Sequence, residues 1–536
     1  GQVVTKTGGV MQPLERDQVW DAIQHPWDII IVGGGITGAG IFRYATAAGL
    51  KVLLLEARDY ASGTSSKSSK LVHGGLRYLN QGQFNVTYES VRERERLLHE
   101  VPELVEPMCF LINNYKGAEI STKKYILGLV IYDIMGNKWD HGRVKREKIL
   151  SICPQLNPEG LINGLFYFDA VVDDARLVMR LIEEGEGLGG TALNYASVME
   201  LMRTSTGEVA GVVVERKDKP GCSPVEIPAR VVINATGPWT DTLRGFVGRK
   251  PIIRKQRGSH LIIDGAKLSL THAITFEHPQ DHRTMFFIPW NGATVVGTTD
   301  LDHPSEYELK AEEPFVDKKE FDYLMEAVQV TFPRAGITES DILSTFSGLR
   351  PIIRMDSISP SAQSRRHAVY EDHGLMTVTG GKLTTYRVMA KAVLERAIAR
   401  LERDPRFQWN KPMFDQDFTK APKEINCPEL LVDRYGAPFL QWLENSLEPD
   451  FETLPGCMIT PLEINYAAAQ ESVVHLDDLL LRRVRLGLLQ RTGGVQHLAQ
   501  LKDGITQVLG WSPEKWQDEV MRYTKIIQES YSLPEV

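Results

Sequence analysis

Apolar residues along this chain fall into short runs whose spacing changes from one segment to the next. Trp27-Asp-Ile-Ile-Ile-Val32 reads as a buried strand running into Gly33-Gly-Gly35. A helical stretch follows to about Gly49, and Lys51-Val-Leu-Leu-Leu-Glu56 is a second strand that ends in an acid. Together they predict one βαβ unit, the smallest piece of a parallel nucleotide-binding sheet. Two later segments repeat the strand-to-small-residue pattern: Arg230-Val-Val-Ile-Asn-Ala-Thr-Gly237, and Met376-Thr-Val-Thr-Gly-Gly381 followed by a helical pattern from Leu383 to Leu401. Between them the alternation is short and strand-like, in Ser259–Asp264, Met285–Trp290 and Thr294–Thr299, which predicts an antiparallel sheet. Residues 402–424 are polar and aperiodic. Beyond them Ser512-Pro513 signals a helix start, and Trp516, Val520, Tyr523, Ile527 and Tyr531 recur at helical spacing.

The expected architecture is therefore an α/β, Rossmann-like nucleotide-binding domain assembled from separated segments (27–95, 150–245 and 340–401). An antiparallel-sheet substrate domain (96–149 and 246–339), a linker (402–424) and an α-helical C-terminal domain (425–536) complete it.

Composition narrows the class. The 536 residues are 42% hydrophobic and 24% charged, ordinary for a globular chain of several domains. A net charge of −8 gives no reason to expect a nucleic-acid partner. Five scattered cysteines form no C-x-x-C pair, so neither a zinc site nor a disulfide framework is indicated. Residues 1–25 lack the apolar core of a signal peptide, and no run approaches the length of a spanning helix; Tyr125–Met135 is too short and carries Asp133. The expectation is a soluble or peripheral protein, cytoplasmic.

The clearest chemical signal is Gly33-x-Gly35-x-x-Gly38 between a strand and a helix. Glycines there let the backbone turn tightly against a pyrophosphate, which the helix N-terminus then attracts. Glu56, at the end of the second strand, is placed to accept from a ribose 2′-OH. That motif alone leaves NAD and FAD both open. Ser62-Gly-Thr-Ser-Ser-Lys-Ser-Ser-Lys-Leu-Val-His-Gly-Gly-Leu-Arg-Tyr78 follows, rich in hydroxyls, glycines and cations and without periodicity. Ligands of a doubly wound sheet bind beyond the strand ends, where this segment must lie.

These stretches resemble the FAD-dependent, quinone-linked glycerol-3-phosphate dehydrogenase family, within the D-amino-acid-oxidase-like flavoproteins. The resemblance is carried in order by Ile31–Gly38, Thr64-Ser-Ser66, Lys70–Tyr78, Val172-Asp-Asp-Ala-Arg176, Asn234–Trp239, Ile288-Pro-Trp290, Gly297-Thr-Thr-Asp300, Ser347-Gly-Leu-Arg-Pro351 and Gly380-Gly-Lys-Leu-Thr-Thr-Tyr-Arg387. Asp477–Arg483 extends it into the C-terminal region. Tyr44 and Ala48-Gly49 depart from the family pattern in the first helix, which puts helix packing in doubt rather than activity.

The resemblance implies FAD, held by Gly33, Gly35, Gly38, Glu56, Ala57, Thr64, Ser65, Ser66, Leu71, His73, Gly74, Ala235, Gly237, Gly381, Lys382, Leu383 and Thr384, with adenine near Val198. It implies glycerol 3-phosphate as substrate. A phosphate dianion requires several cations in one pocket, for which Arg77, Arg350, Arg365 and Lys382 are candidates, with Tyr78 orienting. His260 or solvent organised by Arg350 would take the hydroxyl proton while hydride passes to the flavin, giving dihydroxyacetone phosphate. Electrons would then reach a membrane quinone. The alternatives are dioxygen, as in a glycerol-3-phosphate oxidase, or a flavin-binding subunit without turnover. The oxidase branch usually carries a mid-chain insertion, which is not evident here. Ser121–Lys148 joins an apolar helical run to a basic tail, a candidate for peripheral membrane contact. A homodimer is compatible with the family and has no signature of its own in the chain.

Overall fold

The computed structural model describes residues 13–118, 122–308, 313–354, 368–420, 426–444, 446 and 448–535. Two sheets organise it. In the first, Leu375–Thr379, Val225–Asn234, Trp27–Val32, Val52–Leu55 and Thr191–Leu193 lie side by side in parallel, with Ala368–Asp372 antiparallel at one edge. The unbroken apolar runs have a simple cause: both faces of this sheet are covered. Ile29, Ile31, Val52, Leu54, Val231 and Ile233 face one core, which includes residues of the helices Ile36–Ala47, Asp174–Gly187 and Tyr386–Ala397. Ile30, Val32, Leu53, Leu55 and Val232 face the other, under the ribbon Ala196–Arg203/Val209–Arg216 and the helix Thr240–Phe246.

In the second sheet, Ile253–Ile263, Ala293–Gly297, Thr284–Trp290 and Ala273–Glu277 run antiparallel in that order. The sheet continues through Val105–Tyr115 and Leu161–Val172. Leu261, Ile263, Phe287 and Val296 pack against Phe321, Leu324 and Val328 of the helix Lys318–Thr331. Ile262, Ile288, Val295 and Phe346 pack the opposite way, into a core shared with Leu476, Leu480, Tyr523 and Ile527 of the C-terminal region. There Ser512 caps the helix Pro513–Ser530 through Lys515 N, as its sequence predicts.

Two expectations change. Leu161–Val172 and Ile342–Ile353 fall in segments assigned by sequence to the nucleotide domain, yet both belong to the second sheet. Each pairs along its whole length with a strand of that sheet, a non-local choice that periodicity does not encode. Residues 402–420 are not a loose linker. Met413 and Phe414 are buried in the first core, Phe418 lies under the Arg180 guanidinium, and Arg96 and Arg387 both donate to the Trp409 carbonyl. Tyr44, one of the departures from the family pattern, packs on the Trp409 ring at 4.6 Å and so helps seat this strap.

Candidate active site

Beyond the carboxyl ends of the first sheet's parallel strands lies a cavity of about 780 Å³ whose walls come from both sheets. Its nucleotide side is built by the glycine turn. Gly33, at φ 117°, passes so close to the next strand that a Cβ would stand 2.2 Å from the Ala235 carbonyl oxygen. A Cβ on Gly38 would stand 1.8 Å from the Gly33 carbonyl oxygen, so Gly38 seats the helix and does not itself line the cavity. Ser65 Oγ accepts from Ile36 N at 2.9 Å across the helix N-terminus. Glu56 lies on the wall, where burial raises its carboxyl above the ordinary value despite the Arg58 charge and the amides of Arg58 and Gly34.

Of the other residues expected at a cofactor, Gly35, Ala57, Thr64, Leu71, His73, Val198, Ala235, Gly237, Gly381, Lys382, Leu383 and Thr384 line the same cavity. Gly380 and Gly381 adopt φ of 79° and 69° and lead, through the turn Leu383–Thr385, into the helix Tyr386–Ala397 with its positive end toward the cavity. His73 N donates to Thr384 Oγ1, tying the two loops together. Two expected contacts are not on the wall. The Ser66 carbonyl accepts from Lys70 Nζ and Arg485 Nη2. Gly74 N donates to Tyr132 Oη and Asp169, and a Cβ there would collide with Tyr132 and Val91 at 2.5 Å. Both support the loop from behind, a distinction that depends on which way the backbone faces.

Cations gather where the two sheets' loops meet. Arg77, Arg283, Arg350 and Lys382 all line the cavity. Tyr78 is buried off the wall, with Lys382 Nζ 4.6 Å and Arg77 Cζ 5.3 Å from its ring centroid, so it carries the two cations rather than facing a ligand. Arg350 Nη2 donates to Thr298 Oγ1 at 3.2 Å, and its Nη1 lies 3.5 Å from Asp300. Asp300 also meets Arg283 at 3.7 Å, so one carboxylate spaces two guanidinium groups. Arg365 lies outside the described residues. His260, on Ile253–Ile263, is 1% exposed and stacks on Phe346 at 4.8 Å. Burial, reinforced by the charges of Arg350 and Lys70, pushes its pKa well below the ordinary 6.5, so the imidazole is neutral.

Sequence reasoning gave no role to Arg283, Asp300 or Ser69. Asp300 stands in a quoted motif and Ser69 in the hydroxyl-rich loop. Arg283 had no local signal, because only strand pairing brings it to the cavity.

The loop at residues 59–70 is gripped by buried charge from the C-terminal region. Asp59 accepts from Arg482 Nε at 2.6 Å and from Arg483 Nη1 and Nη2 at 2.9 and 2.7 Å. Lys70 Nζ reaches both oxygens of Asp174 at 3.0 Å, and Arg485 donates to the same carboxylate. The C-terminal region is thereby part of the scaffold of the cavity.

A glycine turn under one helix, a second glycine turn under another and an acid at the second strand end make a cradle suited to an extended dinucleotide. The class follows: residues 28–387 match the profile of the FAD dependent oxidoreductase family, and residues 408–516 match the C-terminal domain of alpha-glycerophosphate oxidase. An aerobic glycerol-3-phosphate dehydrogenase of Staphylococcus aureus (strain USA300) is 36% identical over 542 residues, covering 95% of this chain and 96% of that protein. One from Staphylococcus haemolyticus is 36% identical over 401 residues, covering 74% of this chain and 71% of its own length. The chain belongs to the FAD-dependent aerobic glycerol-3-phosphate dehydrogenase family. The crystal structure of the glycerol-3-phosphate dehydrogenase from Bacillus halodurans complexed with FAD superposes with a TM-score of 0.71 at 26% identity, covering 96% of both chains. The L-alpha-glycerophosphate oxidase of Mycoplasma pneumoniae shares the fold over 72% of this chain, with a TM-score of 0.57 at 17% identity.

Proposed function

We propose that this protein oxidises glycerol 3-phosphate to dihydroxyacetone phosphate and passes the electrons to a membrane quinone. The observation that carries the reading is one cavity joining a dinucleotide cradle to a set of cationic side chains, Arg77, Arg283, Arg350 and Lys382 among them, and a neutral imidazole. FAD, when bound, supplies the hydride acceptor. Arg77 and Lys382 bind the phosphate, their guanidinium and ammonium groups steadied on the Tyr78 ring. Arg350, spaced from Arg283 by Asp300, lowers the cost of negative charge developing on the C2 oxygen. His260 accepts the hydroxyl proton because it is held neutral. Arg365 is retained as a phosphate ligand on the resemblance alone.

The test is anaerobic. Holoprotein mixed with millimolar glycerol 3-phosphate is expected to lose its flavin absorption, and persistence of the oxidised spectrum refutes the reading. Arg350→Ala and Lys382→Ala are expected to keep the flavin and lose bleaching at least tenfold. Peroxide formation in air matching the rate of quinone-analogue reduction would assign dioxygen as the acceptor instead.

A peripheral, cytoplasmic-membrane location rests on the helix Thr122–Met135. Leu129, Tyr132 and Asp133 turn inward, while Leu127 and Ile134 are 61% and 66% exposed. Exposed Trp139 follows the helix, and exposed Phe84 and Tyr88 lie on Phe84–Glu100, which packs beside it. Exposed Lys123 and Lys124 flank this apolar face. An apolar patch bordered by lysines fits an anionic leaflet. Co-sedimentation with phosphatidylglycerol vesicles is expected, weakened by Ile134→Glu and absent with phosphatidylcholine alone; equal binding by Ile134→Glu would remove this face.

A further inference from the structure

His260 lies on the cavity wall yet is only 1% exposed. Its Nδ1 is enclosed by protein with no hydrogen-bond partner among the described residues. One face of the ring is stacked on Phe346, and Gly297 approaches so closely that a Cβ there would lie 2.2 Å from Cδ2. The remaining polar atom, Nε2, is 2.7 Å from Ser69 Oγ. Ser69 is half-buried and lines the cavity. Among the described residues, the polar group of the cavity wall that meets the imidazole is therefore the Ser69 hydroxyl.

We propose that Ser69 is the group that meets the substrate hydroxyl and relays its proton to His260 Nε2. This rests on the function proposed above and adds to it a residue with no role in that reading. The relay balances simply. As the C2–H bond breaks and its electron pair leaves to the hydride acceptor, the substrate O–H proton bonds to Ser69 Oγ. Ser69's own proton passes to Nε2, and the substrate oxygen and C2 become a carbonyl. Ser69 ends unchanged and His260 ends protonated, to be reset by the reverse transfer to water.

Placement of the hydroxyl is unusually constrained for a loop residue. On one side, Ser68 N and Oγ both donate to Asp174, at 3.2 and 2.7 Å. On the other, Lys70, at φ 63°, is fixed to the same carboxylate and to the Ser66 carbonyl. Arg485 of the C-terminal region holds that carboxylate in turn. Ser69 thus lies between two neighbours locked to one buried anion, so its Oγ is pre-positioned rather than sampled.

The test compares Ser69→Ala with Ser69→Thr in holoprotein. Ser69→Ala is expected to retain the flavin spectrum and a KM within a few-fold of the parent, with kcat lower by about a hundredfold, the lower range for a lost proton-transfer group. Ser69→Thr, which keeps a hydroxyl, is expected to restore most of it. Independently of turnover, nitrogen NMR of labelled histidine in the resting protein is expected to show the His260 Nε2 resonance shifting in Ser69→Ala and not in Ser69→Thr. A Ser69→Ala protein with parental kcat, or an unmoved Nε2 resonance, overturns the relay. Failure of the unaltered protein to bleach with glycerol 3-phosphate sinks the function itself, so the two failures are distinct.

Discussion

Replacing Asp59 by Asn tests whether the C-terminal region holds the nucleotide loop by charge. The change keeps volume and removes one negative charge from a site with no solvent exposure. Asp59 accepts three hydrogen bonds from Arg482 and Arg483 and one from Asn194 Nδ2 at 3.1 Å. Burial alone would raise its carboxyl, but the Arg483 and Arg482 charges outweigh burial and hold it below the ordinary value. Breaking a buried ion pair by removing one partner costs about 3–5 kcal/mol. Arg482 keeps Asp477 and Asp478 at 2.8 Å, whereas among the described residues Arg483 keeps the Glu471 carbonyl, so the lower end applies, about 3 kcal/mol. At about 2.1 cal/mol/K per residue, a chain of 536 residues shifts by about 1 °C per kcal/mol, so the melting midpoint should fall by about 3 °C. Differential scanning of the FAD-loaded protein measures this, and gel filtration with absorbance at the flavin band measures cofactor loss. Adding Arg483→Met should recover part of the deficit, because the stranded cation goes with it. A midpoint unchanged by Asp59→Asn, or a double variant whose loss equals the sum of the single losses, would refute the coupling.

Gly38→Ala should abolish FAD retention while leaving most of the fold intact, because a Cβ 1.8 Å from the Gly33 carbonyl forces the helix away from the glycine turn; a flavin spectrum equal to the parent's would contradict this. His475 Nδ1 pairs with Glu519 at 2.7 Å. Burial opposes both shifts, yet the pairing raises His475 above 6.5 and lowers Glu519 from 4.5 to about 2. The Glu519 contribution is complete above pH 4.5 and lost as pH falls toward 2; the His475 contribution is complete below pH 6.5 and lost as pH rises through its folded value. The stability gap between the parent and His475→Gln should therefore be widest between pH 4.5 and 6.5, measured by urea unfolding, and a gap independent of pH would count against the pair.

Much of the nucleotide side was legible in the chain. A six-residue apolar run, a glycine turn and an acid at the next strand end are contiguous, and local sterics dictate what they form. The same holds for the capped helix at Ser512, whose hydroxyl and proline act within one turn. Candidate cations could be named because they sit inside local motifs, yet Tyr78, Ser66 and Gly74 turned out to brace the wall from behind. A residue's motif fixes its neighbourhood, not the direction of its side chain.

What the sequence alone determined was the set of elements and the chemistry of the glycine turns, since strand period, helix period and φ preference act over a few residues. Strand partnership, the packing of residues 402–420 and the meeting of Ser69 with His260, which are 191 positions apart, were decided by tertiary structure. Those contacts depend on which apolar faces are buried together and on buried charges that must find partners, and both are satisfied only when distant segments meet.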